Sequence, residues 1–141
     1  MATKIFLDIN VVIDFFDPHR AEHSNAVKLF SAIDDGKISA YVSESVVNTS
    51  VYLLRKQLTL KQLREVLSDI LSLVKLLPCS HDIYLDSFSL AGNDLEDAFL
   101  YQLALSNRLD YFITEDKKDF RKFANPALPV ISTKDFLTIN D

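Results

Sequence analysis

Three acidic clusters carry the chemistry open to this sequence. Asp8 closes the apolar run Lys4-Ile5-Phe6-Leu7 and is followed by Asn10. Asp94 and Asp97 lie three residues apart, and Asp116 and Asp119 follow the apolar run Tyr111–Thr114 at the same spacing. A carboxylate just beyond a buried parallel strand sits where open α/β sheets place their ligands. Convergence of the three clusters would make an oxygen-only pocket suited to a hard divalent cation.

The elements that must position these acids can be read from the apolar pattern. Five short strands are expected at Lys4–Leu7, Ser39–Val42, Leu73–Leu77, Tyr111–Thr114 and Pro129–Ile131. Their near-continuous apolar runs suit strands buried on both faces of a parallel sheet. Helical spacing fills the gaps. A helix over Asn10–Phe16 follows Asp8, and one through Ala26, Leu29, Phe30 and Ile33 ends at Gly36. Ser43 is placed to cap a helix running to Lys56, and Thr59 another whose Leu63, Val66, Leu67, Ile70 and Leu71 face inward. Further helices are expected over His81–Ala91, stopped by Gly92, over Asp94–Leu109, and over Thr133–Leu137. Strands alternating with helices imply right-handed crossovers and an α/β/α three-layer sandwich around a mainly parallel five-stranded sheet.

Bulk properties bound the function. The 141 residues suit a single domain spanning 1–141. No apolar run reaches the ~20 residues of a membrane helix, and Asp8 interrupts any signal-peptide pattern, so the expected location is cytoplasmic. Cys79 is the sole cysteine, which excludes an internal disulfide and a cysteine-rich zinc site. Fifteen basic against twenty acidic residues leave a net charge of −5. This argues against a broad phosphate-neutralising face, but not against a nucleic-acid enzyme with metal-screened acids or a basic protein partner.

Each acid also has an ordinary structural explanation. Asp8 can cap the following helix, and Asp14 and Asp17, near Pro18, read as solvated or turn-forming. Asn93 with Glu96 fits a capping box, and Glu96 is expected to point away from the face shared by Asp94 and Asp97. Asp97 is harder to explain by stability, because it approaches the inward stripe of Leu95, Ala98 and Phe99. Thr114 or Asp116 can cap the helix toward Phe123, and Asp119 can pair with Lys118 or Lys122 at the surface. Lys117, Lys118, Arg121 and Lys122 form the one local basic cluster, placed to hold a phosphate backbone beside the acids. Cys79 reads as a packing residue and His81 as a surface or capping one, and His19 and His23 lack a zinc-peptidase pattern. No glycine-rich phosphate loop or Gly-x-Ser-x-Gly elbow is present.

With these residues in place, the chain resembles the PIN-domain family, the nuclease fold of VapC-type toxins from toxin–antitoxin pairs. The matching segments are FLDINVVID, YVSESVVNTSVYLLRK, NDLEDAFLYQLALSNRLDYFITEDKKDF and PVISTKDFL, in the family's order. The resemblance implies acids gathered at the carboxyl edge of the sheet around Mg²⁺ or Mn²⁺. Asp8 would be the first acid, Asp97 the third with Asp94 beside it, and Asp116 the fourth. Asn10, Asn48, Thr114 and Asp119 would assist, and Lys117, Lys118 and Arg121 would contact RNA. The family's second acid is usually a Glu on the helix after strand two. That position is Thr49 here, with Asn48 before it, as in a PIN subgroup with an Asn-containing helix; Glu44 lies over a turn earlier and is not expected to substitute.

The resulting expectation is a metal-dependent ribonuclease in which Asp8, Asp97 and Asp116 carry hydrolysis of RNA phosphodiesters, the toxin of a toxin–antitoxin pair. A homodimer and a basic-tailed antitoxin are its implied partners. The alternative is a PIN-like module, catalytically weak or inactive, that binds RNA or a protein. A phosphatase or receiver domain is disfavoured, because Asn10 stands where dehalogenase-type phosphatases need a second Asp and no phosphoacceptor Asp follows the third strand.

Overall fold

In the computed structural model, which describes every residue except Met1, Ala91, Asn93, Ala124 and Asp141, the first strand is the axis of the molecule. Ile5, Phe6 and Leu7 of β1 (Thr3–Leu7) are fully buried, which explains their unbroken apolar run. β2 (Ile38–Val42) pairs with one edge of β1, setting Ile5 opposite Ala40. On the other edge, β4 (Tyr111–Ile113) places Phe112 opposite Phe6, and their rings stack at 4.9 Å. β3 (Val74–Leu76) extends the sheet beyond β2, and β5 (Val130–Ile131) extends it beyond β4. All four pairings are parallel and the order is β3-β2-β1-β4-β5. The chain progresses outward in opposite directions from β1 and from β4, so the topological switch lies between them.

Helices cover both faces and complete the α/β/α sandwich. One contacting group comprises α1 (Ile9–Phe16), α2 (His23–Asp34), α3 (Glu44–Leu54), α4 (Leu60–Leu73) and α8 (Thr133–Ile139). The other comprises α5 (His81–Ser87), α6 (Leu95–Ser106) and α7 (Lys117–Arg121). Local chemistry sets their starts. The Ser43 hydroxyl accepts the Val46 amide, and Thr59 with Gln62 forms a reciprocal capping box. No helix among the described residues is long and apolar enough to cross a membrane.

Several expected bounds are corrected. α5 stops at Ser87 instead of running to Ala91, which lies outside the described residues. The hydroxyls of Ser87 and Ser89 donate to the carbonyls of Tyr84 and Asp86, and the backbone tightens into i→i−3 bonds at Phe88 and Ser89. α6 ends at Ser106, not Leu109, because the Asn107 amide takes the Leu103 carbonyl and Arg108 turns left-handed at φ 57°. Leu71 faces solvent while Leu63 and Ile70 hold the inward face of α4. Asp14, expected to be solvated, is buried on α1 and paired with Arg20.

Candidate functional site

The switch point gathers the ends of β1 and β4, and both deliver polar groups. Asp8 follows β1 and is 4% exposed. Its Oδ1 accepts the Ile9 amide at 2.8 Å, capping α1, and its Oδ2 accepts the Thr114 hydroxyl at 2.7 Å. Capping and cleft-lining are therefore two uses of one carboxylate. Thr114, fully buried after β4, also receives the Asp116 amide on its hydroxyl at 3.0 Å. Asp116 in turn accepts the Asn10 side-chain amide at 2.8 Å. A continuous hydrogen-bonded chain thus ties the ends of the two strands together.

A cavity of about 470 Å³ opens over this chain, with Asp8, Asp97 and Asp116 in its walls. Asp97 arrives on the first turn of α6, whose N-cap Asp94 accepts the Asp97 amide at 3.1 Å. Burial, then the Asp94 and Asp8 carboxylates, push the Asp97 carboxyl up to about 6, only partly countered by Lys122. Asp8 is also raised, chiefly by burial and lastly by Asp116, against the lowering hydrogen bonds from Thr114 and Ile9. Mutual repulsion and desolvation therefore act together at Asp97, and the Lys122 charge offsets them only in part.

The remaining wall was less visible in the sequence. Glu44, Thr49 and Glu96 line the same cavity, with Cys79, Tyr84 and Phe99. Glu96 was expected to point elsewhere, but the cavity extends past the start of α6 and reaches it. Glu44, set aside as over a turn too early, reaches the wall from the first turn of α3. Cys79 is exposed in the wall and is not a packing residue. Thr49 brings a neutral hydroxyl to the wall, while Asn48 is exposed and outside the lining. Asp94 and Asp119 are outside the lining and raise Asp97 by their charge. The capping box expected at Asn93 falls outside the described residues, and Asp94 is the N-cap observed. Lys117 pairs with Asp135 at 3.5 Å, and Lys117, Lys118 and Arg121 line neither this cavity nor its neighbour.

The acids of the wall offer hard oxygen donors, as Mg²⁺ or Mn²⁺ prefers. Their spacing does not match. Among the described residues no three His, Cys, Asp or Glu side chains approach closely enough to hold a metal ion. Both Asp8 oxygens and one each of Asp116 and Asp94 are oriented by hydrogen bonds from protein donors. The residues as placed do not fit a preformed metal centre.

An acid-walled cleft at the switch point of a five-stranded parallel sheet is a PIN-type arrangement. A family model described as PIN domain matches residues 4–118, and the chain belongs to that family. Within it the chain is VapC-like. A protein of Aquifex aeolicus (strain VF5) described as ribonuclease VapC1 is 25% identical over 138 residues, spanning 94% of this chain and 92% of that one. A toxin–antitoxin complex from Klebsiella pneumoniae contains a chain 23% identical with a TM-score of 0.66, covering 88% of this chain and 94% of that one. VapBC2 from Rickettsia felis, solved bound to a DNA fragment from its promoter, matches at 17% identity and TM-score 0.64 over 92% and 98%. At these identities the structural likenesses establish a shared fold.

Proposed function

We propose that this chain is the toxin-type member of a toxin–antitoxin pair whose cleft binds RNA and hydrolyses it weakly or not at all. One observation carries the proposal: Asp8, Asp97 and Asp116 face a single cavity without closing into a metal cage, and Thr49 stands where a further acid would help close it. The raised Asp97 carboxyl supports RNA entry as pH falls toward 6, where its protonation makes the cleft less negative. Anisotropy of a labelled single-stranded oligoribonucleotide, with EDTA and then with Mn²⁺, tests this together with a cleavage assay. Binding in EDTA with slow or absent cleavage is expected. Fast Mn²⁺-dependent cleavage that is lost in Asp8→Asn or Asp116→Asn would replace the proposal with its rival.

That rival is a Mg²⁺- or Mn²⁺-dependent endoribonuclease, favoured by the all-oxygen donor set and by a relative described as a ribonuclease. Asp8, Asp94, Asp97 and Asp116 would hold the ion, with RNA phosphate oxygens completing a ligand set that the protein leaves open. A homodimer and an antitoxin with a basic segment belong to both proposals, the acidic net charge favouring such a segment. Light scattering returning a monomer would remove the homodimer.

A further inference from the structure

A second cavity, of about 380 Å³, lies beside the cleft and shares Asp116 with it as a common wall. Asn10 and Arg20 line it, and among the described residues Arg20 is the one Lys or Arg lining either cavity. The side chain of Arg20 is held in an unusual way. Its Nε donates to Oδ1 of Asp14 at 2.6 Å, and Asp14 is 3% exposed on α1. The other Asp14 oxygen, Oδ2, is buried without a hydrogen-bond partner among the described residues. The guanidinium therefore meets the carboxylate through Nε alone and not through two parallel bonds. Its Nη groups make no hydrogen bond among the described residues, and the side chain keeps 38% of its exposure.

A buried carboxylate that fixes an arginine stem while leaving its fork free is a preorganised anion contact, since the fork matches the paired oxygens of a phosphate. Four acids line this cavity, and each is partly engaged: Asp14 holds Arg20, Asp116 accepts the Asn10 side-chain amide, Glu22 accepts the Asn25 side-chain amide, and Glu115 accepts the Thr133 backbone amide. We propose that Arg20 binds a phosphate of the RNA strand whose neighbouring segment occupies the acidic cleft, with Asp14 as the positioning residue. This subsite rests on the RNA-binding reading and specifies where the backbone is gripped. It also accounts for how a cleft poor in basic residues could retain a polyanion.

The test is binding of a 5′-labelled single-stranded oligoribonucleotide in EDTA across a KCl series, for wild type, Arg20→Gln and Arg20→Lys. Losing one charge-assisted contact should weaken Arg20→Gln about tenfold. It should also flatten the slope of log K against log salt by about 0.7, one phosphate's worth on a single strand. Arg20→Lys should keep the slope while losing part of the affinity. Single methylphosphonate linkages scanned along the oligonucleotide need no variant, and one linkage should reproduce the Arg20→Gln loss in wild type. A folded Arg20→Gln with unchanged affinity and slope, or a scan in which no linkage matters, overturns the Arg20 assignment and leaves RNA binding standing. No binding by wild type overturns the RNA reading and this subsite with it.

Discussion

Asp14 and Asp97 are both carboxylates on helices packed against the same sheet, and the fold treats them oppositely. Asp14 is sealed from solvent and has the Arg20 guanidinium at 2.6 Å. Asp97 is half-buried among other acids, and its carboxyl rises to about 6. A buried charge that serves architecture is paired, because an uncompensated one costs several kcal/mol. A charge left among like charges raises the free energy of the folded state and persists where a ligand can relieve it. The contrast separates the acid that holds α1 to the start of α2 from the acid that faces the cleft.

Breaking the paired side should have the largest effect. Arg20→Ala leaves a buried carboxylate without its cation and should cost about 3 kcal/mol, lowering the unfolding temperature by roughly 10 °C in calorimetry. A loss below about 1 kcal/mol would mean that the pair is already solvated. Next in size is Thr114→Val, which removes the hydroxyl bonded to buried Asp8. It should cost about 2 kcal/mol at neutral pH and raise the Asp8 carboxyl further, since that bond lowers it. Carboxyl chemical shifts followed by pH titration would report the direction.

On the unpaired side the sign reverses. The Asp97 carboxyl is raised from 3.8 to about 6, so the folded state holds its proton more tightly than the unfolded chain. The stabilisation is fully present at pH below 3.8 and is lost as pH rises through about 6. Asp97→Asn should accordingly stabilise the protein at pH 8, by about 1 kcal/mol once the shift is discounted for solvent screening, or some 2–4 °C. The gain should disappear at acid pH; a destabilised variant at pH 8 would contradict the picture of repelling acids. The smallest effect concerns binding. RNA affinity in EDTA should rise a few-fold from pH 8 to pH 5.5 as Asp97 takes up its proton, and Asp97→Asn should flatten that profile.

The same pair shows how far a sequence can be read. Asp8, Asp97, Thr114 and Asp116 were recognisable because they follow apolar strands or open a helix, and strand-end position and helical spacing are local properties. The parallel sheet was recognisable for the same reason: Ile5 to Leu7 and Tyr111 to Ile113 announce burial on both faces. Asp14 was misread because its partner lies six residues on, past Pro18, where the turn that brings Arg20 back carries no periodic signal. Glu44 and Glu96 were set aside by reasoning within single helices, although a cavity wall is assembled from several. The stop of α5 at Ser87 depended on serine hydroxyls choosing backbone carbonyls, a competition that apolar spacing does not reveal.

The cleft acids of the described residues form no ion pair and no preassembled metal cage. Mn²⁺ calorimetry on the free protein, with Asp8→Asn and Asp116→Asn alongside, tests this. Little or no saturable heat is predicted for wild type, with binding emerging only when a non-cleavable RNA analogue is present. Tight stoichiometric Mn²⁺ binding by the free protein, abolished in both variants, would contradict it.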